Sequence, residues 1–275
     1  MIGWKDAIEI GKLAWENRAG VKPVLASFRR WLRRSKILVI GPGGTGKSTL
    51  ARMLSGEFDW LLDSPWRYDE NVGVTRSALK ADPAAEVVVL PGQQHRRRTS
   101  WAGVGQDIAS GAFHGVILVS AFGHHSLSDN SYKLHRLYEP ERDKDTFWRK
   151  YLDANRADEI ACLKQLAPFL KECSRKLWLA SVVTKQDLWR SSDGAVEKWY
   201  QEGEYEQLVA EIAAHKGNTF CHEFQPVSLV IGNFVTAKNE VFAKNLEGYG
   251  HRAQVESVRR LFEVLEALRE WGSRK

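Results

Sequence analysis

Short apolar runs alternate with amphipathic stretches along most of the chain. An apolar run of about four to eight residues between turn formers is typical of a buried strand, whereas apolar positions at helical spacing are typical of a helix. Runs of the first kind predict strands at residues 37–40, 77–80, 86–90, 115–121, 176–183 and 223–231. Stretches of the second kind predict helices at residues 48–55, 101–110, 145–173, 193–216 and 252–271.

The predicted strands and helices follow one another in alternation. Strands that run parallel need a crossover connection, usually a helix, so this order predicts a mostly parallel sheet with helices on both faces. We therefore expect a three-layer α/β fold. The last helical stretch carries one apolar side, formed by Val255, Val258, Leu261 and Leu265, and is expected to pack against the sheet.

Residues 1–36 differ from the rest of the chain in pattern and charge. They predict two basic amphipathic helices and carry nine Lys or Arg and three Asp or Glu, which accounts for the whole net charge of +6. A charge confined to one end does not favour nucleic-acid binding, which usually needs a basic face across the domain. We expect this extension to pack on its own domain or to meet a protein partner, and a peripheral membrane contact is less favoured.

The composition of the chain indicates the compartment in which we expect the protein. Apolar residues make up 43% of the chain, which is enough for a sizeable core, and no apolar run is long enough to cross a bilayer. The amino terminus lacks the pattern of a secretory signal. Cys162, Cys173 and Cys221 form no C-x-x-C pair, so they predict neither a disulfide framework nor a zinc site. We expect a cytoplasmic protein.

A glycine-rich loop at residues 41–48 carries the strongest chemical signal. It reads G-P-G-G-T-G-K-S, fits the pattern G-x-x-x-x-G-K-[ST], and lies between a predicted strand and a predicted helix. Glycines let backbone N–H groups surround phosphate oxygens, a lysine supplies a positive charge, and a serine hydroxyl can bind Mg²⁺. The expected phosphate contacts are Gly41, Gly43, Gly44, Thr45, Gly46, Lys47, Ser48 and Thr49.

A second motif, Thr184-Lys185-Gln186-Asp187, follows the predicted strand at residues 176–183. Ligands of open α/β sheets bind at the carboxyl ends of the strands, where this motif would lie. A carboxylate there can accept two hydrogen bonds from the N1–H and N2–H₂ edge of guanine, a donor pair that adenine lacks. We expect Asp187 to select guanine and the Lys185 stem to lie along the base.

With these two motifs in this order, the chain resembles the Ras-like GTPases of the P-loop class. Their base-reading motif is usually N-K-x-D, with T-K-x-D as a variant, and their last motif would fall on Ser228 and Leu229. The resemblance implies a Ras-like GTP-binding domain over residues 37–275, with GTP or GDP and Mg²⁺ as its cofactors. It also implies a switch protein whose loops are read by a partner.

The resemblance further implies roles near the γ-phosphate. Thr75 would correspond to the threonine that binds Mg²⁺ together with Ser48 and touches this phosphate. The Gly92 N–H would reach the same phosphate, and Gln93 would orient the attacking water. Lys47, Thr75 and Gln93 are therefore the expected catalytic residues.

The third motif departs from the family pattern D-x-x-G, because Val89 stands where the family has the aspartate that holds Mg²⁺ through water. In one alternative, Ser48, Thr75 and the phosphates hold Mg²⁺ alone and hydrolysis is slow or depends on a partner. In another, an acid of the preceding loop substitutes; the candidates are Asp63, Asp69 and Glu70.

Two further alternatives concern function itself. The protein could be a GTP-binding scaffold that hydrolyses nothing useful, or a P-loop ATPase in which the T-K-x-D motif is coincidental. We expect a guanine-nucleotide switch with weak GTPase activity.

Residues 123–158 are interpreted as a helical insertion, since they lengthen one connection between strands. This segment contains His124, His125, Asp129 and His135, whose spacing matches no common metal-binding set. The sequence therefore predicts surface histidines rather than a metal site.

Overall fold

The computed structural model describes residues 35–55, 75–79, 82–92 and 94–274. Nearly all of the predicted basic extension lies outside the described residues, as do the acidic loop that contains Asp63, Asp69 and Glu70, and the candidate catalytic residue Gln93.

One six-stranded sheet forms the centre of the described fold. Its strands are β1 (Lys36–Ile40), β2 (Thr75–Leu79), β3 (Asp82–Val89), β4 (Gly115–Ser120), β5 (Leu177–Val183) and β6 (Phe220–Pro226). They lie in the order β2-β3-β1-β4-β5-β6, and all neighbours are parallel except the antiparallel pair β2–β3. The predicted α/β architecture with a mostly parallel sheet is confirmed.

Helices occupy connections between these strands, and the helix near the end of the chain follows the last strand of the sheet. In chain order they are α1 (Lys47–Leu54), α2 (Gln94–Ala109), α3 (Lys144–Glu172), α4 (Gln186–Trp189), α5 (Asp193–Gln201), α6 (Glu204–Lys216) and α7 (His251–Ser273), with 3₁₀ turns at Tyr132–Leu134, Arg190–Ser192 and Gly217–Thr219. Among the described residues, no helix combines the length and the apolarity that a bilayer crossing requires.

Side chains that alternate along β1 supply both layers of the core. Ile37 and Val39 pack into an apolar cluster with α1 and α7, whereas Leu38 and Ile40 pack into a second cluster with α2, α3, α5 and α6. Successive residues of a strand point to opposite faces, so a run without polar residues is stable only when both faces are covered. Helices therefore cover both faces of the sheet, as predicted.

A third apolar cluster lies apart from these two layers and is mainly aromatic. It joins residues 127–151 to a small antiparallel hairpin of β7 (Phe234–Val235) and β8 (Val241–Ala243), which the sequence did not predict. Trp148 and Phe234 have ring centroids 4.8 Å apart, within the range of favourable aromatic pairs.

Several predicted boundaries are wrong, among them the start of α2, which begins at Gln94 rather than at residue 101. The last strand ends at Pro226 rather than at residue 231, because Ser228 turns away from the sheet to bond with Asp187. The predicted helix at residues 193–216 is two helices, α5 and α6, and Gly203 lies between them as the N-cap of α6. Glycine is a poor helix former, which favours a break at this position. Helix α3 runs without interruption through residue 158, where the predicted insertion ends.

A substitution at Gly115 would test how tightly the central strands β4 and β5 pack. This glycine pairs with Trp178 of β5, and a Cβ on Gly115 would collide with the buried Trp178 ring. We expect Gly115→Ala to lower the free energy of unfolding by about 1–3 kcal/mol, as overpacked cores do. Gly103→Ala is the control, since a Cβ there meets nothing within 4 Å, and it should stabilise helix α2 by about 0.5–1 kcal/mol. Equal urea midpoints for the two variants would contradict this account.

Candidate functional site

The loops that follow the parallel strands meet at one edge of the sheet. They are the glycine-rich loop after β1, residues 90–92 after β3, residues 121–126 after β4, the T-K-x-D motif after β5 and residues 227–232 after β6. The carboxyl edge of a parallel sheet is the usual ligand position in α/β folds. Four of these five segments contain residues that the sequence predicts to bind nucleotide.

The glycine-rich loop has a closed backbone path that depends on its glycines. Gly41, Gly44 and Gly46 have φ values of 147°, 73° and 92°, which glycine adopts at little cost. The Thr45 hydroxyl donates to the Pro42 carbonyl oxygen at 3.0 Å, and the buried Lys47 ammonium donates to the same oxygen. Lys47 therefore lies across its own loop.

Gly92 lies directly against this loop. A Cβ on Gly92 would collide with the Lys47 ammonium and would come within 2.5 Å of the Gly43 nitrogen. Such a close approach of two backbone segments admits only glycine. Residue 92, which follows β3, therefore contacts the glycine-rich loop directly.

The other residues expected near the γ-phosphate lie at the start of α1 and at the start of β2. Ser48 and Thr49 are half-buried in the first turn of α1, and the exposed Thr75 begins β2 directly opposite Val89. Val89 is 1% exposed and packs in the apolar cluster with α1. This position therefore contributes packing and no acceptor for a metal-bound water.

Thr184 joins the T-K-x-D motif to the glycine-rich loop. Its buried hydroxyl donates to the Thr45 carbonyl oxygen at 2.6 Å and lies 3.1 Å from the Ser120 carbonyl oxygen. Two motifs that are 139 positions apart in sequence are thus bonded directly.

Lys185 has an unusual backbone conformation and a crowded side chain. Its φ of 61° lies in the left-handed region, which non-glycine residues seldom adopt. Its ammonium donates to the His124 carbonyl oxygen at 2.5 Å and to the Ser126 hydroxyl at 3.1 Å, and lies 5.4 Å from the centre of the Phe234 ring. Burial lowers the pKa of Lys185 to about 8, although Asp187 opposes this shift.

The Asp187 carboxylate is buried and held on both oxygens. Oδ1 accepts from the Ser228 hydroxyl at 2.8 Å, and Oδ2 accepts from the Gly232 N–H at 3.1 Å. Burial raises the pKa of Asp187, whereas the hydrogen bonds from Gly232 and Ser228 act to lower it. Leu229, the other predicted residue of the last motif, is buried and fixed through its carbonyl oxygen by Gln254 of α7 at 2.9 Å.

The prediction that the histidines lie on the surface is wrong for His124 and His125, which are 6% and 5% exposed. His124 Nδ1 lies 3.1 Å from the Phe122 carbonyl oxygen, and burial lowers the pKa of its ring to about 4. His125 Nε2 lies 2.9 Å from the carboxylate of Glu159. Within the described ranges, no group of three or more His, Cys, Asp or Glu could hold a metal ion.

Sequence reasoning missed several residues that touch the predicted ones. Ser126 donates from both its N–H and its hydroxyl to the Gly44 carbonyl oxygen, at 3.0 and 3.2 Å. Glu159 and Tyr200 are fully buried behind the segment that carries Ser126. They belong to no motif, and helical periodicity alone does not separate a buried polar residue from a core position.

The Thr184 contact can be tested without a ligand. We expect Thr184→Val, which keeps shape but removes the hydroxyl, to lower the free energy of unfolding by about 1–3 kcal/mol, since the Thr45 carbonyl loses a donor. Amide hydrogen exchange of residues 43–47 should become faster. Thr219→Val is the control, because its hydroxyl donates to the Lys216 carbonyl oxygen outside the site. Unchanged exchange at residues 43–47 in Thr184→Val would contradict the coupling.

No protein-family model matches the chain, and the comparison with curated proteins gives no match. Among solved structures, the fold is similar to a GDP complex of an ADP-ribosylation factor-like small COPII coat GTPase from Encephalitozoon cuniculi. The two are 12% identical, with a TM-score of 0.41, over 95% of this chain and 93% of that chain.

Two signal recognition particle receptor structures are similar as well. A mammalian one is 13% identical with a TM-score of 0.39, over 85% of this chain and 99% of its own. The other, the SRb–GDP form from Chaetomium thermophilum, is 13% identical with a TM-score of 0.39, over 82% and 96%. At these values the likeness concerns the general fold, and the function has to be inferred from the residues of this chain.

Proposed function

We propose that the chain binds guanine nucleotides at the carboxyl edge of its sheet and acts as a GTP-dependent switch. The observation that supports this most is the hydrogen bond from Thr184 to Thr45, which sets a base-reading motif beside a phosphate-binding loop. The buried Asp187 carboxylate lies in the same motif. A single guanosine phosphate would contact both segments.

The glycine-rich loop would hold the phosphates. Its backbone N–H groups, the start of α1 and the Lys47 ammonium supply positive charge, and helix starts favour bound anions. The close approach of Gly92 to Lys47 and Gly43 supports a cradle built for small groups rather than side chains. Ser48 would hold Mg²⁺ together with the phosphates, and Thr75 would join it when its loop closes. The ion neutralises charge on the phosphate oxygens.

The base would be read by Asp187. A carboxylate has about four acceptor positions, so the bonds from Ser228 and Gly232 leave acceptor capacity for the donor edge of guanine, its N1–H and N2–H₂ groups. The Lys185 stem, fixed at its end by His124 and Ser126, would lie along the face of the base. This donor–acceptor match favours guanine over adenine.

The switch would operate through the loops around Thr75 and Gly92. Contacts with the γ-phosphate draw such loops inward, and loss of that phosphate releases them. A protein partner would read the loop conformation, with help from residues 1–36. Hydrolysis would be slow or dependent on that partner, with Lys47, Thr75 and Gln93 as the catalytic residues.

The guanine assignment is tested by calorimetry with GDP, GTP and ATP. We expect Asp187→Asn to weaken GDP binding by about 100-fold, since charge-assisted hydrogen bonds contribute roughly 1.5–3 kcal/mol each, and to gain affinity for xanthosine diphosphate. Asp145→Asn, an exposed change at the start of α3, is the control and should bind GDP like the wild type. Equal affinity of the wild-type protein for ATP and GTP would overturn the guanine claim.

A second candidate function is a GTP-binding scaffold without useful hydrolysis. The observation that favours it is Val89, which fills the third-motif position with a buried apolar side chain. Binding would be retained, because the contacts of Lys47, Thr184 and Asp187 do not involve Val89.

Single-turnover phosphate release separates the two functions. For a switch that hydrolyses GTP, we expect Gln93→Ala to slow phosphate release by about tenfold or more, since this residue would orient the attacking water. Gln106→Ala, an exposed glutamine of α2, is the matched control. Equal rates for wild type, Gln93→Ala and Gln106→Ala would favour the scaffold.

A further inference from the structure

The segment that follows β4, residues 121–126, has a conformation that needs external support. We call it the β4 loop. Phe122 and Gly123 have φ values of 49° and 80°, so two successive residues adopt left-handed conformations. A non-glycine residue in this region is uncommon and costs of the order of 1–2 kcal/mol. Such conformations persist where surrounding contacts fix them, often at functional sites.

A buried carboxylate supplies much of this support. Glu159 Oε1 accepts from the N–H groups of Ala121 and Gly123 at 2.9 and 3.1 Å, and from the His125 ring at 2.9 Å. Glu159 is fully buried, and burial alone would raise the pKa of its carboxyl. The hydrogen bonds from His125, Tyr200 and Ala121 outweigh burial and lower this pKa, so they stabilise the charged form.

Neighbouring side chains complete the support. The Tyr200 hydroxyl donates to Glu159 Oε2 at 2.5 Å and accepts from the Phe122 N–H at 3.1 Å. Asn155 donates to the Gly123 carbonyl oxygen at 2.8 Å, and the Tyr151 hydroxyl donates to that of His125 at 2.9 Å. Tyr151, Asn155 and Glu159 are spaced by four residues and therefore lie on one face of α3. This face bonds the β4 loop from Ala121 to His125.

The opposite side of the β4 loop contacts both predicted nucleotide-binding motifs. Ser126 donates to the Gly44 carbonyl oxygen in the glycine-rich loop, and the Lys185 ammonium donates to the His124 carbonyl oxygen and the Ser126 hydroxyl. A Cβ on Gly44 would come within 2.5 Å of the Ser126 nitrogen. The loop thus lies between a buried polar cluster and the site.

We propose that Glu159, Asn155 and Tyr200 are positioning residues for nucleotide binding, which act through the β4 loop on Gly44 and Lys185. This inference rests on the proposed function, because it concerns affinity at the same site. It adds three residues, none of which belongs to a nucleotide-binding motif. It also connects the site to α3 and α5, the helices that carry these residues.

Two fully buried tyrosines allow a matched experiment. Tyr200→Phe removes the hydroxyl that bonds Glu159 and Phe122. Tyr205→Phe keeps the packing of the two rings and removes a hydroxyl that lies 2.6 Å from Ser181 of β5, a strand residue outside the β4 loop. Both variants should lower the urea midpoint. Only Tyr200→Phe should weaken GDP binding, by about tenfold, and speed amide exchange at residues 43–47 and 121–126, since it loses two hydrogen bonds that support the β4 loop.

Asn155→Ala is a second variant with less risk to folding, because Asn155 is half-buried and alanine suits a helix. We expect it to weaken GDP binding by about threefold to fivefold, since it loses one hydrogen bond. Wild-type affinity in both Tyr200→Phe and Asn155→Ala, or an equal loss in Tyr200→Phe and Tyr205→Phe, would overturn the positioning role. Absence of GDP binding by the wild-type protein would instead overturn the proposed function.

Discussion

The hydrogen bond between the Thr184 hydroxyl and the Thr45 carbonyl oxygen is the contact on which the site depends. It fixes the end of β5 against the glycine-rich loop, at 2.6 Å and away from solvent. Under the proposed function one nucleotide would bridge the two segments, so their separation has to match the span from its base to its phosphates. A bond that holds this separation before the ligand arrives reduces the entropy lost on binding.

Local sequence information was enough for the central part of this arrangement. The runs that became β1, β4 and β5 are apolar at nearly all of their buried positions, and the exceptions are Ser120 and Ser181. The glycine-rich loop follows the first of these runs. Parallel pairing then brings Gly41, Gly92, Thr184 and Ser228 to one edge, because each follows the carboxyl end of a strand. The fold class and the proximity of these motifs were therefore predictable.

The contacts behind the site were not predictable, for a physical reason. Tyr151, Asn155 and Glu159 are spaced by four residues, which indicates a shared helix face, but the same spacing also describes a solvated face. Their role depends on the left-handed turn at Phe122 and Gly123, which no residue of α3 encodes. Likewise, the sequence predicted His124 and His125 at the surface, but both are buried. His124 bonds a carbonyl oxygen of the β4 loop, and His125 bonds Glu159 of α3. The strands β7 and β8, of two and three residues, are too short to show a period.

Val89, at the end of β3, contributes apolar packing beside the candidate site. The Val89 side chain is 1% exposed and lies among apolar residues, so a carboxylate at this position would be buried in the same surroundings. An ionised group there is costly unless a cation or donors pair with it, whereas valine gains roughly 1.5–3 kcal/mol from burial. The exchange therefore strengthens the packing between β3 and α1. It leaves Gly92 against Lys47 and Gly43, because that approach depends on the backbone and not on the side chain two positions before Pro91. The packing of Val89 is thus separate from the contacts among Gly92, Lys47 and Gly43, on which the proposed phosphate binding rests.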